Sequence, residues 1–295
     1  MKKFTLPAPV YALVAMLFWG LSFIWSSVLL KYYQPITIIF IRLILSTAFL
    51  YTLLTLLKQN EKILRKDRLL IVMSALFNPF LYFLCENYGL KYSTPTIAAV
   101  IIAMIPVFSP LVAYITMKEK LRPINFIGIF ISFSGVLIML ITRAFSLAVD
   151  VRGVLFLGGA VFTSLFYSVT LRKLSVRYSA LTIIAYQNLI GIFLFLPLFL
   201  VLEFRKAIAV PLNSQIVSSF LLLSVFASSV AFVFFAHSVK HLGISKSNVY
   251  TNLIPVFTAL FSFLLLSEVF TLQKIAGIGL VIGGVYLSER GNNER

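Results

Sequence analysis

Ile105-Pro106-Val107-Phe108 returns 149 residues later as Ile254-Pro255-Val256-Phe257, and the same offset carries Lys91 to Lys240, Glu119 to Glu268, Gly128 to Gly277 and Gly135 to Gly284. The chain therefore contains its own half twice. Both copies are almost wholly apolar, in runs of about 17 to 23 residues. A helix needs roughly 20 residues to cross about 30 Å of hydrocarbon, so the runs match membrane spans.

Composition agrees. Hydrophobic residues make up 60% of the chain, mean hydropathy is +1.01 and only nine of 295 residues are acidic, which excludes an ordinary soluble domain. A membrane β-barrel would show alternating runs of about ten residues instead. Ten spans can be read, near 8–30, 35–57, 69–90, 95–117, 124–142, 153–171, 181–202, 216–238, 247–267 and 272–288. The short polar link near Thr142 to Arg152 leaves five on either side. Because five is odd, the second copy enters the membrane from the opposite face. The expected fold is an all-α polytopic membrane protein of ten transmembrane helices, built as two inverted five-helix repeats over residues 1–145 and 150–290. Inverted duplication of this kind is the sequence signature of carriers that alternate between two access states.

The net charge of +16 does not point to nucleic acid, because the cations lie in short links between spans and form no basic face on a folded domain. With the N-terminus inside, the inner segments hold 17 Lys and Arg, among them Lys58, Lys62, Arg65, Lys66 and Arg68, against seven in the outer loops. The positive-inside rule then puts both termini in the cytoplasm, in a multi-pass protein of the inner or plasma membrane. The first apolar run is too long for a signal peptide and has no small-residue cleavage site, so it is expected to remain as a helix. Cys85 is the single cysteine, which rules out an intrachain disulfide. No metal-ligand spacing occurs, and neither a metal nor a cofactor is expected.

Further landmarks are Trp19-Gly20 in the first span, Pro35 followed by Arg42 in the second, and Tyr88-Gly89-Leu90-Lys91-Tyr92-Ser93 before the fourth. The Pro106 helix ends at Glu119; in the second copy Tyr167 precedes Arg172-Lys173 and Pro255 precedes Glu268. Over nearly its whole length the chain resembles the EamA type of the drug/metabolite transporter superfamily. The resemblance implies a carrier of small metabolites such as amino acids, with a central cavity lined mainly by spans 1, 3, 4, 6, 8 and 9.

The expected function is a secondary transporter, read as an exporter, whose partners are a small-molecule substrate and the lipid bilayer, with no nucleic acid. No Gly-x-x-x-x-Gly-Lys-Ser/Thr loop is present to bind a nucleotide. A channel or a membrane sensor on the same fold is the alternative. An intramembrane lipid-modifying enzyme fits less well, because nucleophiles and metal ligands are scarce.

Charged groups in hydrocarbon are costly unless paired or facing water, so Arg42 and Glu86 are the first candidates. They are read either as an ion pair or with Glu86 facing the cavity alone. Asn78, Tyr82 and Glu86 repeat every fourth residue and share a helix face. Trp19, Met104, Tyr167, His237 and Asn252 complete the cavity candidates, with His237 also a candidate for proton coupling. Asn248 and Asn252 serve equally well as packing contacts between helices. Pro106 and Pro255 are read as paired hinges or as static kinks. Glu119 and Glu268 are expected to hold helix ends or a closed gate, and the glycines at 128, 135, 277 and 284 to allow close helix packing.

Overall fold

The computed structural model describes residues 7–59, 61–119, 122–140, 150–266 and 272–290. Those residues are helical throughout, with short connections and no strand among them. In chain order the helices are α1 (Ala8–Leu29), α2 (Pro35–Leu56), α3 (Arg65–Lys91), α4 (Pro95–Met117), α5 (Pro123–Leu140), α6 (Val151–Ser175), α7 (Ala180–Ile208), α8 (Ser214–Leu242), α9 (Ile244–Leu265) and α10 (Leu272–Arg290). Eight of them are long and apolar enough to cross a membrane. The apolar stretches of α5 and α10, Pro123–Ile138 and Ile275–Ser288, are shorter, so the expectation of ten full-length spans is met by length and hydropathy in eight.

Local chemistry sets the helix starts. Proline opens α2, α4 and α5, where its missing N–H costs no intrahelical bond. Thr94, Asp150, Ser179 and Asn213 cap α4, α6, α7 and α8 by accepting from Ile97, Arg152, Thr182 and Ile216 amides. Hydrogen bonds from the Arg152 side chain and amide hold the Asp150 carboxyl below the usual carboxylate range.

Elements repeat at the sequence offset. α4 starts at Pro95 and α9 at Ile244; α5 starts at Pro123 and α10 at Leu272. Both α4 and α9 are interrupted. α4 breaks at Ala103 and Met104 before resuming at Ile105, and α9 passes through a 3-10 turn at Tyr250–Asn252 before resuming at Leu253. Pro106 and Pro255 therefore sit near the middle of α4 and α9, in the first turn after each break. There they remove no intrahelical bond.

The principal helix pairs, α1 with α8 and α9, α2 with α7, α3 with α6 and α5 with α10, all join the first half of the chain to the second. Lipid is as apolar as the core, so close contact rather than hydrophobic burial must hold such pairs. The α5–α10 crossing has that character. A Cβ on Gly128 would lie 2.4 Å from Ser288 N, and one on Gly135 would lie 2.6 Å from the Gly277 carbonyl. Asn125 and Asn252 add bonds from their amide groups to the Ser288 carbonyl and to Ser132 Oγ.

Three carboxylates each meet the start of a helix in the other half. Glu203 accepts from the Ile36 amide (3.3 Å), the Thr37 amide (2.7 Å) and the Thr37 hydroxyl (2.7 Å) at the head of α2. Glu61 accepts from the Ser179 amide at 2.8 Å, at the cap of α7. Glu119 accepts from the Ile244 and Ser245 amides (2.9 and 3.2 Å) and the Ser245 hydroxyl (3.2 Å), opening α9. Free amides and the helix dipole both favour an anion at these positions. Gly243 makes the third contact possible: its φ is +87°, and an added Cβ would come within 2.8 Å of Glu119 Oε1. Glu119 thus holds a helix end, as expected; Glu268 lies outside the described residues. Glu203→Ala strands buried amides at the head of α2 and is expected to cost about 1–3 kcal/mol, read as a lower Tm in detergent.

Candidate functional site

Midway along the bundle, α1, α2, α3, α4, α6, α8 and α9 surround one cavity of about 540 Å³ of empty space, its mouth included. Little of that space admits a solvent-sized sphere, so side chains must part before a ligand can seat. The spans named by the family resemblance all contribute, and α2 joins them through Arg42.

α3 supplies most of the chemistry because its helix is broken. Asn78 is extended (φ −148°, ψ 122°), followed by Pro79, and the irregular segment Leu76–Leu81 separates two regular ones. Asn78, Tyr82 and Glu86 all line the cavity despite that interruption. The Tyr82 hydroxyl donates to Glu86 Oε1 at 3.0 Å. Between the two, Phe83 turns its ring to the Arg42 guanidinium, whose carbon lies 3.9 Å from the ring centroid.

Arg42 is 2% exposed. Its Nε donates to Ser228 Oγ at 2.7 Å. Ser228 belongs to the π-helical segment Leu223–Val230 of α8, an irregularity of the sort found at functional sites. Behind it runs a buried polar seam. Ser46 and Ser229 share a hydrogen bond of 2.6 Å, and Asn188 Nδ2 donates to Ser46 Oγ at 2.7 Å and to the Ser228 carbonyl at 3.3 Å. The expected contact pair between Arg42 and Glu86 is not formed. Among the described residues the ion pairs are Asp150–Arg152 and Asp67–Arg177. Arg42 is instead turned to Ser228 and Phe83, and Glu86 is held by Tyr82.

Trp19 and Tyr167 also line the cavity. The Trp19 indole N–H donates to the Ala227 carbonyl at 3.3 Å, and its ring packs on Phe232 and Phe235 at 4.9 and 5.0 Å. Tyr167 OH reaches Gln187 Oε1 at 3.5 Å. Asn248 lines the cavity too and donates to Ser168 Oγ at 3.3 Å.

Three other expected residues lie elsewhere. Met104 sits in the break of α4, packed against the core. His237 faces Tyr11 and His241, with ring centroids 4.3 and 4.4 Å away, because its side of α8 meets α1. Asn252 points to Ser132 on α5, the packing reading of that residue. Phe83, Phe232, Phe235, Ser164 and Ser168 line the wall without having been singled out from sequence. Ser164, Tyr167 and Ser168 do share the i, i+3, i+4 spacing of one helix face, the one signal that could have found two of them.

Eight helices apolar and long enough to cross a membrane, around a cavity lined from both halves of the chain, fit a multi-pass membrane transporter. The chain belongs to the EamA-like transporter family, whose model matches residues 6–141 and again 151–290. An "Uncharacterized transporter" of Archaeoglobus fulgidus is 28% identical over 277 residues, covering 93% of this chain and 94% of that one. "Uncharacterized transporter YetK" of Bacillus subtilis is 26% identical, over 83% of this chain and 75% of its own. A "Probable terminal-alkyne amino-acid exporter" of Streptantibioticus cattleyicolor is also 26% identical, over 69% and 67%. A solved crystal structure shares the fold at a TM-score of 0.79 and 18% identity, covering 97% of this chain and 99% of the other.

Proposed function

We propose that this chain is a secondary transporter that exports small organic metabolites, such as amino acids or related compounds, by alternating access. The observation that carries the reading is the cavity itself, walled by helices from both halves of the chain and lined by both apolar and charged side chains. In this reading α5 and α10 also cross the bilayer. The two five-helix repeats, residues 1–145 and 150–290, then stand inverted in the inner or plasma membrane with both termini in the cytoplasm. Related halves of opposite orientation give two nearly equivalent conformations, one open to each face. The name of the Streptantibioticus relative, a probable amino-acid exporter, supports the substrate class and the direction of this reading.

Counterflow in proteoliposomes tests the carrier. Preloaded unlabelled amino acids should accelerate entry of the labelled compound, and entry should saturate. Flux that rises linearly with concentration and ignores the preload contradicts the reading. Topology has its own check: Gln59→Cys, on an exposed link after α2, should react with an impermeant thiol reagent only from the cytoplasmic side.

Pro106 and Pro255 hold equivalent positions beside the two breaks, where a change in bend would open opposite faces. Pro106→Ala and Pro255→Ala are expected to bias the access equilibrium in opposite directions. A shift of about 1.4 kcal/mol changes the ratio tenfold. Double electron-electron resonance between spin labels on each face reads the populations, and unchanged distances in both variants reduce the prolines to packing kinks.

A further inference from the structure

The cavity carries one cation and one carboxylate that are not in contact. Among the described residues no carboxylate reaches Arg42, and its only hydrogen bond to protein uses Nε, which leaves both terminal nitrogens without a protein partner. Glu86 receives a single bond, from Tyr82 to Oε1, which leaves Oε2 uncommitted. The guanidinium rests on Phe83, three residues before Glu86 on the same helix. Arg42 and Glu86 thus line the same cavity without touching.

In so dry a setting opposite charges attract strongly, and a contact pair would satisfy both. Held apart by Ser228 and Tyr82, they face one small space with complementary needs. The planar Arg42 fork suits a carboxylate. Glu86 suits an ammonium group. Trp19, Phe23, Phe232 and Phe235 form an aromatic part of the wall that takes an apolar body, beside the polar side chains of Asn78, Ser164, Ser168 and Asn248. A ligand bearing both charges adds no net charge to a membrane-embedded site, whereas a lone cation or anion would.

We propose that the cavity selects zwitterions with an apolar body, the carboxylate on Arg42 and the ammonium on Glu86. The assignment rests on the transporter reading and deepens it from a class of metabolites to a charge pattern.

The test uses the full-length protein, purified and reconstituted. Probes are L-leucine and L-phenylalanine, with isoamylamine lacking the carboxylate and 4-methylpentanoate lacking the ammonium; uracil and tetraphenylphosphonium represent uncharged and cationic compounds. Affinity is read by calorimetry and by competition in counterflow. At least one of the two amino acids should bind about tenfold more tightly than either single-charge analogue. Glu86→Gln should lower amino-acid affinity by about tenfold and leave 4-methylpentanoate binding no weaker, or tighter. Arg42→Lys should weaken the amino acid and 4-methylpentanoate together and spare isoamylamine. Should Glu86→Gln fail to fold, Tyr82→Phe, which frees the carboxylate from its one partner, should change amino-acid affinity and not that of 4-methylpentanoate. Equal affinities for the three charge types, or equal losses for all of them in Glu86→Gln, overturn the assignment. Saturable flux of uracil or tetraphenylphosphonium with none of either amino acid overturns it and leaves the transporter standing. Absence of saturable flux for every compound overturns both.

Discussion

Gly284→Leu is expected to destabilise the protein by about 3 kcal/mol or more, because backbone rather than side chain must yield. A Cβ at Gly284 would lie 2.3 Å from Ser132 N and 2.6 Å from the Gly128 carbonyl. Opening that crossing also pulls on Ser132, which receives the Asn252 amide and so ties α9 to α5. A Tm lower by about 5–10 °C in detergent is the expected reading. Gly283, the adjacent residue, has nothing within 4 Å of its added Cβ. Gly283→Leu should leave Tm unchanged or raise it slightly, since leucine is the better helix former by under 1 kcal/mol. Equal effects at the two positions would show that the α5–α10 crossing does not hold the halves together.

Arg42→Met is expected to cut transport by about 100-fold or more, ~2.7 kcal/mol in the rate, while leaving the fold intact. The two outcomes have one physical origin. Holding a guanidinium at 2% exposure inside a membrane bundle carries a large desolvation cost, which Ser228 and Phe83 offset only in part. A methionine of similar length fills the space without that cost, so Tm should stay within a few degrees or rise. Initial rates in proteoliposomes and thermal unfolding of the same preparation check both arms. A variant that unfolds and a variant that still transports would each contradict this account of Arg42.

The repeat and the apolar runs were legible in the sequence because membrane crossing imposes length and apolarity directly on residue order. Helix starts at Pro95, Pro123, Ile244 and Leu272 keep the offset of 149 that the Ile-Pro-Val-Phe motif had announced. The site was legible in part. Arg42, Asn78, Tyr82 and Glu86 stood out because polar groups are rare and costly in such segments. The way they are partnered did not, since a hydrogen bond from Arg42 to Ser228 depends on how α2 and α8 face each other. His237 and Asn252 show the converse: polarity marked them, yet each faces a neighbouring helix and not the cavity. Phe232 and Phe235 were invisible among 29 phenylalanines. Glu203 lay near the end of an apolar run, and only the three-dimensional return of α7 to the head of α2 gives it a role.

The central claim is that one cavity serves both faces of the membrane in turn. Ser164 lines it, and Cys85→Ser removes the sole native thiol, so Ser164→Cys in that background reports access without ambiguity. Impermeant methanethiosulfonate reagents should modify this cysteine from the outer face in right-side-out vesicles and from the cytoplasmic face in inverted ones, with neither reagent crossing the membrane. Modification from a single face under every condition, or passage of the reagent through the protein, would contradict alternating access.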